Sequence, residues 1–365
     1  MQNAPIVIMT AAMLTACSQQ STYQTVSGET MGTSYHIRFE YADHSSDAAS
    51  IQAVIDERLQ AINDSMSTYQ ENSTISRFNR LPAKTDLVID DDFIQVLTDS
   101  QTVYQLSNQA FDPTVYPLVR LWGFGGQMSI ERLQSPPTED DIAKAKQWVG
   151  LDKVVLNGQK LSKSIDGVGL DFSAIAKGYA VDVIANTLHH DYGVVNYMIE
   201  IGGEVATLGV NDKGDPWTLG IDAPIIDSGV KNRTVLTTLT QPIGEPMHLA
   251  TSGGYRNSIE YDGVRFSHTS NPVTGWPVAN NAPSVTVLHD TVALADAWAT
   301  ALTALPYTEA LTLANAQGLM AMFVIENPTK TGFDIVQTDA MQQKFAKEIT
   351  CIAWQCVLNY NSLKQ

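Results

Sequence analysis

Cysteine is scarce in this 365-residue chain: three occur, at positions 17, 351 and 356. Stability must rest on a buried core, for which the length is ample, rather than on cross-links. Basic residues are few as well. Lys and Arg number 22 against 39 Asp and Glu, a formal net charge of −17. Such a surface repels phosphate backbones and excludes a dedicated nucleic-acid groove. Charged residues make up 17% of the chain and apolar residues 44%. That is too apolar for a disordered chain, and the apolar residues are too evenly spread for a multispan membrane protein. There is no internal repeat and no low-complexity block. A Gly-rich turn between first strand and helix, which a dinucleotide-binding fold requires, is also missing.

The N-terminus lacks charge of either sign: nothing charged precedes Glu29, and no Lys or Arg precedes Arg38. The mostly apolar run from Pro5 to Ala16 is too short to span a bilayer and has the length of a secretory h-region. It ends in Leu14-Thr15-Ala16-Cys17, which resembles the lipobox at which a bacterial signal peptidase cuts before a lipidated cysteine. On that reading residues 1–16 are a leader, Cys17 is the lipid-bearing mature N-terminus, and 17–28 is a polar tether. The other reading is a short buried helix with an incidental cysteine. The leader departs from the usual pattern in having no Lys or Arg, and Ser18 in place of Asp favours the outer membrane. Export would put Cys351 and Cys356 in an oxidising compartment. Their spacing suits neither one helix nor a straight strand. A bond would need a turn through Ala353-Trp354-Gln355, and disulfide and free thiols both stay open.

Further on, Ile51, Val54, Ile55, Leu59 and Ile62 fall at helical spacing behind a Ser/Asp-rich start. A second helix is expected over Asp92–Ser107, and a third after Thr138, with Asp141 as a capping-box partner and Gly150 as its stop. Strand-like runs then alternate with helices at Lys153–Leu156, Tyr197–Ile201, Trp217–Ile221, Val235–Leu239, Ser284–Leu288 and Met320–Ile325. Asp262-Gly263 between two such runs is a two-residue hairpin signal. The mixed, hairpin-rich order predicts an α+β fold with a mixed or antiparallel sheet packed with helices, not a doubly wound parallel one.

Four polar segments could carry chemistry, and each has an ordinary alternative. Thr30-Met31-Gly32-Thr33-Ser34-Tyr35 is a place for close ligand approach or simply a turn. Leu170 to Tyr179 reads as a strand end running into a helix start, where free N–H groups and Lys177 suit an anion. The alternative is a capped helix with Lys177 in solvent. Ala250 to Asn257 joins through the hairpin to Ser267–Gly275, where His268 precedes a Pro/Gly loop, as a general base or as a hydrogen-bonded loop histidine. In the helix Thr291–Leu305, Leu294, Trp298, Leu302 and Leu305 form an apolar ridge. Asp296 and Thr300, four apart, stack on a different face. Their oxygens are hard ligands suited to Mg²⁺, which binds through few protein groups plus substrate phosphate; the alternative is a solvated helix face.

Taken together and in order, these segments resemble the ApbE family, the FAD:protein FMN transferases. The resemblance is carried by MGTSY (31–35), MSTYQENSTISRFN (66–79), FDPTVYPLVRLWGFG (111–125), LDFSAIAKGYAVD (170–182), IEIGGEVATLG (199–209), the SGGYRN and SHTSNPVTG segments, and ADAWATAL (295–302). It implies a T-fold-like α+β domain over 29–350, followed by a tail over 351–365. The implied reaction is Mg²⁺-dependent transfer of FMN from FAD to a Thr or Ser hydroxyl of an exported protein, releasing AMP. By motif, the metal falls to Asp296, Thr300 and the carbonyl of Ala174. FAD contacts fall to Met31, Tyr69 (or neighbouring Thr68), Ala110, Phe111, Asp112, Asp171, Lys177 and the backbone near Ser270. The implied general base is His268. The implied partners are exported redox-complex subunits with a D-x-x-[ST]-G-A-[ST]-like site, and the implied location is the periplasm, anchored through Cys17. Many relatives read H-I-I-D-P-R-T-G where this chain has Thr269, Ser270, Asn271 and Val273, and Gly254 stands where Asp is frequent. The same residues would also serve an Mg²⁺-dependent FAD pyrophosphatase giving FMN and AMP. A non-enzymatic flavin-binding lipoprotein is the third reading.

Overall fold

A computed structural model describes residues 22–41, 47–123, 136–225, 233–253, 258–261, 264–267, 269–278, 282–327, 332–345, 349–351 and 356–359. In chain order its strands are β1 (Tyr23–Thr30), β2 (Thr33–Glu40), β3 (Leu87–Val88), β4 (Val154–Asn157), β5 (Lys160–Lys163), β6 (Tyr197–Ile201), β7 (Glu204–Leu208), β8 (Thr218–Asp222), β9 (Val235–Thr240), β10 (Met247–Gly253), β11 (Ser258–Tyr261), β12 (Val264–Ser267), β13 (Ser284–Leu288), β14 (Met320–Glu326), β15 (Phe333–Gln337), β16 (Ile349–Cys351) and β17 (Cys356–Asn359). Its helices are α1 (Ala48–Met66), α2 (Thr74–Arg80), α3 (Asp91–Leu106), α4 (Tyr116–Trp122), α5 (Glu139–Lys146), α6 (Ala176–Asn186), α7 (Val292–Thr303), α8 (Tyr307–Ala316) and α9 (Asp339–Phe345). Among the described residues no helix is long and apolar enough to cross a membrane.

The main sheet has nine strands in the order β1-β2-β6-β7-β10-β13-β14-β15-β17, antiparallel except for the parallel pair β15–β17. On one face, Tyr35, Ile37 and Phe39 of β2 and Ile199 and Ile201 of β6 pack with Ile51, Ile55, Leu59 and Ile62 of α1 and with α6 and α7. On the other, Val205, Leu249, Met322 and Ile335 meet Leu219, Ile221, Leu236 and Leu239 of a second sheet, ordered β16-β9-β8, and Met341 and Phe345 of α9. With both faces covered, the central strand β13 is buried along its whole length. This is the α+β architecture expected from the order of elements.

Several boundaries differ from the expectation. The residues assigned to a tether extend only to Thr22, because from Tyr23 the chain pairs with β2 and buries Val26. The leader and Cys17 lie outside the described residues. The presumed tail also joins the fold: β17 adds to the main sheet, while Cys351 closes β16 in the other one. Helix α5 has the capping box of Thr138 and Asp141 but ends at Lys146, before Gly150. No strand precedes α6 among the described residues of 164–175. That segment is held instead by the Asn79 amide, which exchanges hydrogen bonds with both N–H and carbonyl of Leu170, and by the Asp171 N–H donating to the Pro113 carbonyl.

For helix α7 the alternative to a ligand-bearing face was a solvated one. The helix is buried nearly all round, because its alanines let it settle against β10, β13, α3 and α6. The contact with α6 is stitched from both sides. Asp182 on α6 accepts the first two N–H groups of α7, from Val292 (2.9 Å) and Ala293 (2.8 Å). Asp296 on α7 accepts the Gly178 N–H in the first turn of α6, at 3.1 Å. Each carboxylate satisfies orphan donors at the positive end of its partner's dipole. Gly178 permits the approach: a Cβ there would lie 2.4 Å from the Val292 carbonyl oxygen.

Since that clash is with backbone, Gly178→Ala must prise the helices apart. Thermal unfolding is expected to show a loss of about 1–3 kcal/mol, the usual cost of overpacking. Gly220→Ala, whose Cβ would meet only the Val235 side chain at 3.2 Å, is expected to cost clearly less.

Candidate functional site

The first turn of α6, through Lys177, and the Asp296/Thr300 face of α7 open onto a cavity of about 1060 Å³. Its other walls are the outer face of the main sheet around β6, β7 and β10, and the facing strand β8. The volume lies at the upper end of small-molecule sites. Most of the residues singled out from the sequence meet here. Tyr69, Ala110, Phe111, Asp112, Asp171, Ala174, Lys177, Ser270, Asp296 and Thr300 all line the cavity.

Each is brought there by a local device. After α3, Asn108 (φ +53°) and Gln109 (φ +69°) turn the chain sharply, and the Phe111 N–H donates to the buried Ser107 hydroxyl. This sets Ala110, Phe111 and Asp112 against the cavity. Asp112 accepts from the Thr114 N–H (2.8 Å) and hydroxyl (2.6 Å); burial still pushes its carboxyl up to about 6. Asp171 accepts the Ser173 N–H. Tyr69, 75% exposed, stands at the rim. Ser270 is buried, its hydroxyl without a hydrogen-bond partner among the described residues.

Two of the assigned residues are not among these described lining residues. Met31 is packed partly against the helix-side core in the β1–β2 turn and does not line the cavity, although its neighbours Thr33 and Ser34 do. Its φ of +51°, next to Gly32 at +73°, suits a two-residue hairpin turn but is uncommon for a side chain of that size. His268 lies outside the described residues, as does Gly254. The departure at Asn271 has a visible use. Its carbonyl oxygen accepts from Val273 and Thr274, and its amide donates to the Ala304 carbonyl past the end of α7, a bond that an aspartate could not donate.

The floor of the cavity is a charge cluster. Lys177 Nζ lies 3.1 Å from Glu204 Oε1 and 3.6 Å from Asp296 Oδ2, and both carboxylates are buried. Burial disfavours the ammonium, but the two carboxylates outweigh it and hold its pKa above the usual lysine range. Burial likewise pushes the Glu204 carboxyl well above the ordinary carboxylate range, with Lys177 opposing. Glu204 was not assigned a role from the sequence. Its signal was an acidic residue heading an otherwise apolar strand, just after Gly202-Gly203. Glu200, His36, Asp222 and Arg233 were missed too, because only β-sheet pairing and the facing β8 and β9 bring them to the cavity. Among the described lining residues six carboxylates (Asp112, Asp171, Glu200, Glu204, Asp222, Asp296) face three permanent cations, Lys177, Arg120 and Arg233. An anion entering here needs further positive charge.

Asp296, Thr300 and Ala174 offer hard oxygens to that cavity. No group of three His, Cys, Asp or Glu side chains converges among the described residues. A cation held here would therefore draw on few protein groups and on the ligand's own oxygens, the habit of Mg²⁺. On donor chemistry and cavity charge, the residues present fit such an ion.

The ApbE family model matches residues 31–323. The FAD:protein FMN transferase of Vibrio cholerae is 36% identical over 335 residues, covering 91% of this chain and 96% of that protein. Its counterpart in Haemophilus influenzae is 35% identical, covering 93% and 96%. Among solved structures, the flavin transferase ApbE from Vibrio cholerae superposes with a TM-score of 0.75 at 33% identity, covering 88% of this chain and 98% of that one. The apo flavinyl transferase ApbE of Pseudomonas stutzeri gives 0.77 at 30%, covering 88% and 96%. Matched along nearly its whole described length, the chain belongs to the ApbE family.

Proposed function

We propose that this protein transfers FMN from FAD to a Thr or Ser hydroxyl of an exported acceptor protein, releasing AMP. The observation that carries the proposal is the floor of the cavity, where Lys177 in the first turn of α6 and Ala174 just before it meet Asp296 and Thr300 of α7. That is where a pyrophosphate would be held: the Lys177 ammonium for its charge, hard oxygens for Mg²⁺. When bound, Mg²⁺ supplies neutralisation of the charge that develops on the phosphate oxygens.

The chain's own residues do the rest. Lys177 and the start of α6 orient the pyrophosphate, while Phe111 and Tyr69 offer aromatic surface to a flavin ring. The acceptor oxygen forms a bond to the FMN-side phosphorus as the bridging P–O bond breaks. AMP departs with the bridging oxygen, and FMN remains on the acceptor through a phosphodiester. The acceptor's proton goes to His268, whose place before the Thr269–Gly275 loop borders the cavity-lining residues Thr269 and Ser270. The lipobox-like sequence at Cys17 supports a periplasmic, membrane-anchored location, and Ser18 the outer membrane. Cys17→Ser is expected to move the protein from the membrane to the soluble fraction; unchanged fractionation would remove the anchor.

The central test incubates the protein, FAD and Mg²⁺ with an acceptor domain bearing the D-x-x-[ST]-G-A-[ST]-like site. In-gel flavin fluorescence on the acceptor, lost with EDTA, is the expected result. Free FMN and AMP with an unlabelled acceptor would mean a pyrophosphatase instead, and EDTA-indifferent FAD binding without AMP release a simple binder. Asp296→Ala is expected to abolish transfer and metal-dependent FAD binding together. Asp296→Asn, which keeps an acceptor for the Gly178 N–H, should fold like the parent yet fail in the same way. His268→Ala is expected to keep FAD binding and slow transfer by about 10²–10⁴-fold, the usual contribution of a positioned base. Near-parental rates would take the base role from His268.

A further inference from the structure

We infer that Glu204 is a positioning residue that holds the Lys177 ammonium off Asp296, so that this carboxylate stays available to a divalent cation. The inference rests on the reading of Asp296 as a cation ligand. Lys177 is confined between two buried carboxylates and is nearer to Glu204 (3.1 Å) than to Asp296 (3.6 Å). Its stem lies beside Gly202, where a Cβ would sit 3.3 Å from Lys177 Cδ and 2.8 Å from Thr33 Cγ2. The glycine thus leaves the lysine its path, and the path ends between the two acids.

A buried ammonium needs a counter-ion. Were Asp296 its only one, Lys177 and an arriving cation would make competing claims on the same carboxylate. A cation could then bind only by leaving the lysine unpaired beside a like charge. Glu204 removes that conflict. It is 3% exposed, and its second oxygen has no hydrogen-bond partner among the described residues. It therefore has capacity to take the ammonium fully when Asp296 turns to the cation. The acid does not touch the metal in this account; it acts through the lysine.

The test is a double-mutant cycle of Glu204→Gln and Lys177→Met, read by cation affinity rather than by turnover. Full-length protein with saturating FAD and no acceptor is titrated with Mn²⁺, and the bound ion is counted from the loss of its free-ion EPR signal. Glu204→Gln is expected to weaken Mn²⁺ binding by about tenfold or more, a coupling that residues in contact commonly show. Lys177→Met, which also removes a proposed pyrophosphate contact, is read only as a difference between backgrounds: it should raise Mn²⁺ affinity about tenfold or more further in the Glu204→Gln background than in the parent. Equal effects of Lys177→Met in both backgrounds would reduce Glu204 to a through-space charge and overturn the inference while leaving the cation reading intact. Absence of Mn²⁺ binding to the parent would overturn both. If Glu204→Gln does not fold, Glu204→Asp, which retracts the carboxylate by one methylene, enters the same cycle with the same sign and a smaller size.

Discussion

Two aspartates exchanged between neighbouring helices hold this site together. Asp182 of α6 accepts the leading N–H groups of α7, and Asp296 of α7 accepts one from the first turn of α6. Each helix start is thus completed by the other, and neither arrangement survives without close backbone approach at Gly178. Orphan N–H groups buried without an acceptor would cost more than the exchange does. The consequence for chemistry is positional. Lys177 is brought opposite Asp296, and Thr300 follows one turn later along the same cavity wall.

The same exchange makes Asp296 serve two needs. Its Oδ2 accepts a backbone hydrogen bond and lies near an ammonium, while the side chain still lines the cavity. The rest of the cavity is acidic in excess, with six carboxylates to three cations among the described lining residues. Bulk charge and site charge therefore answer to different constraints. The chain as a whole carries a net charge of −17, whereas the floor sets a single ammonium, Lys177, between two carboxylates.

Much of this was legible along the chain because it repeats at short range. The apolar spacing of α1, the cap of α5, and the order of strands need only neighbouring residues to declare themselves. The i, i+4 relation of Asp296 and Thr300 was legible for the same reason, yet the burial of that face was not. Alanines around it fit a solvated helix and a tightly packed one equally well, and only β10, β13 and α6 decide between them. Glu204 and Asp182 escaped notice because their partners are 27 and about 110 residues away in sequence, Lys177 for one and Val292 and Ala293 for the other. Asn271 read as a loss relative to the family pattern. In the fold it is a clamp, since its amide reaches the Ala304 carbonyl.

Residue types and spacing alone determined an acidic α+β chain, since hydrogen-bonding periods and turn chemistry are local, while its collinear motifs carried the resemblance that implied a reaction. Tertiary structure alone decided which motifs share a cavity, that Lys177 is held between two acids rather than in solvent, and that the strand from Tyr23 belongs to the sheet. The physical reason is that burial and electrostatic pairing belong to groups from distant segments, and no window of sequence contains both members of such a pair.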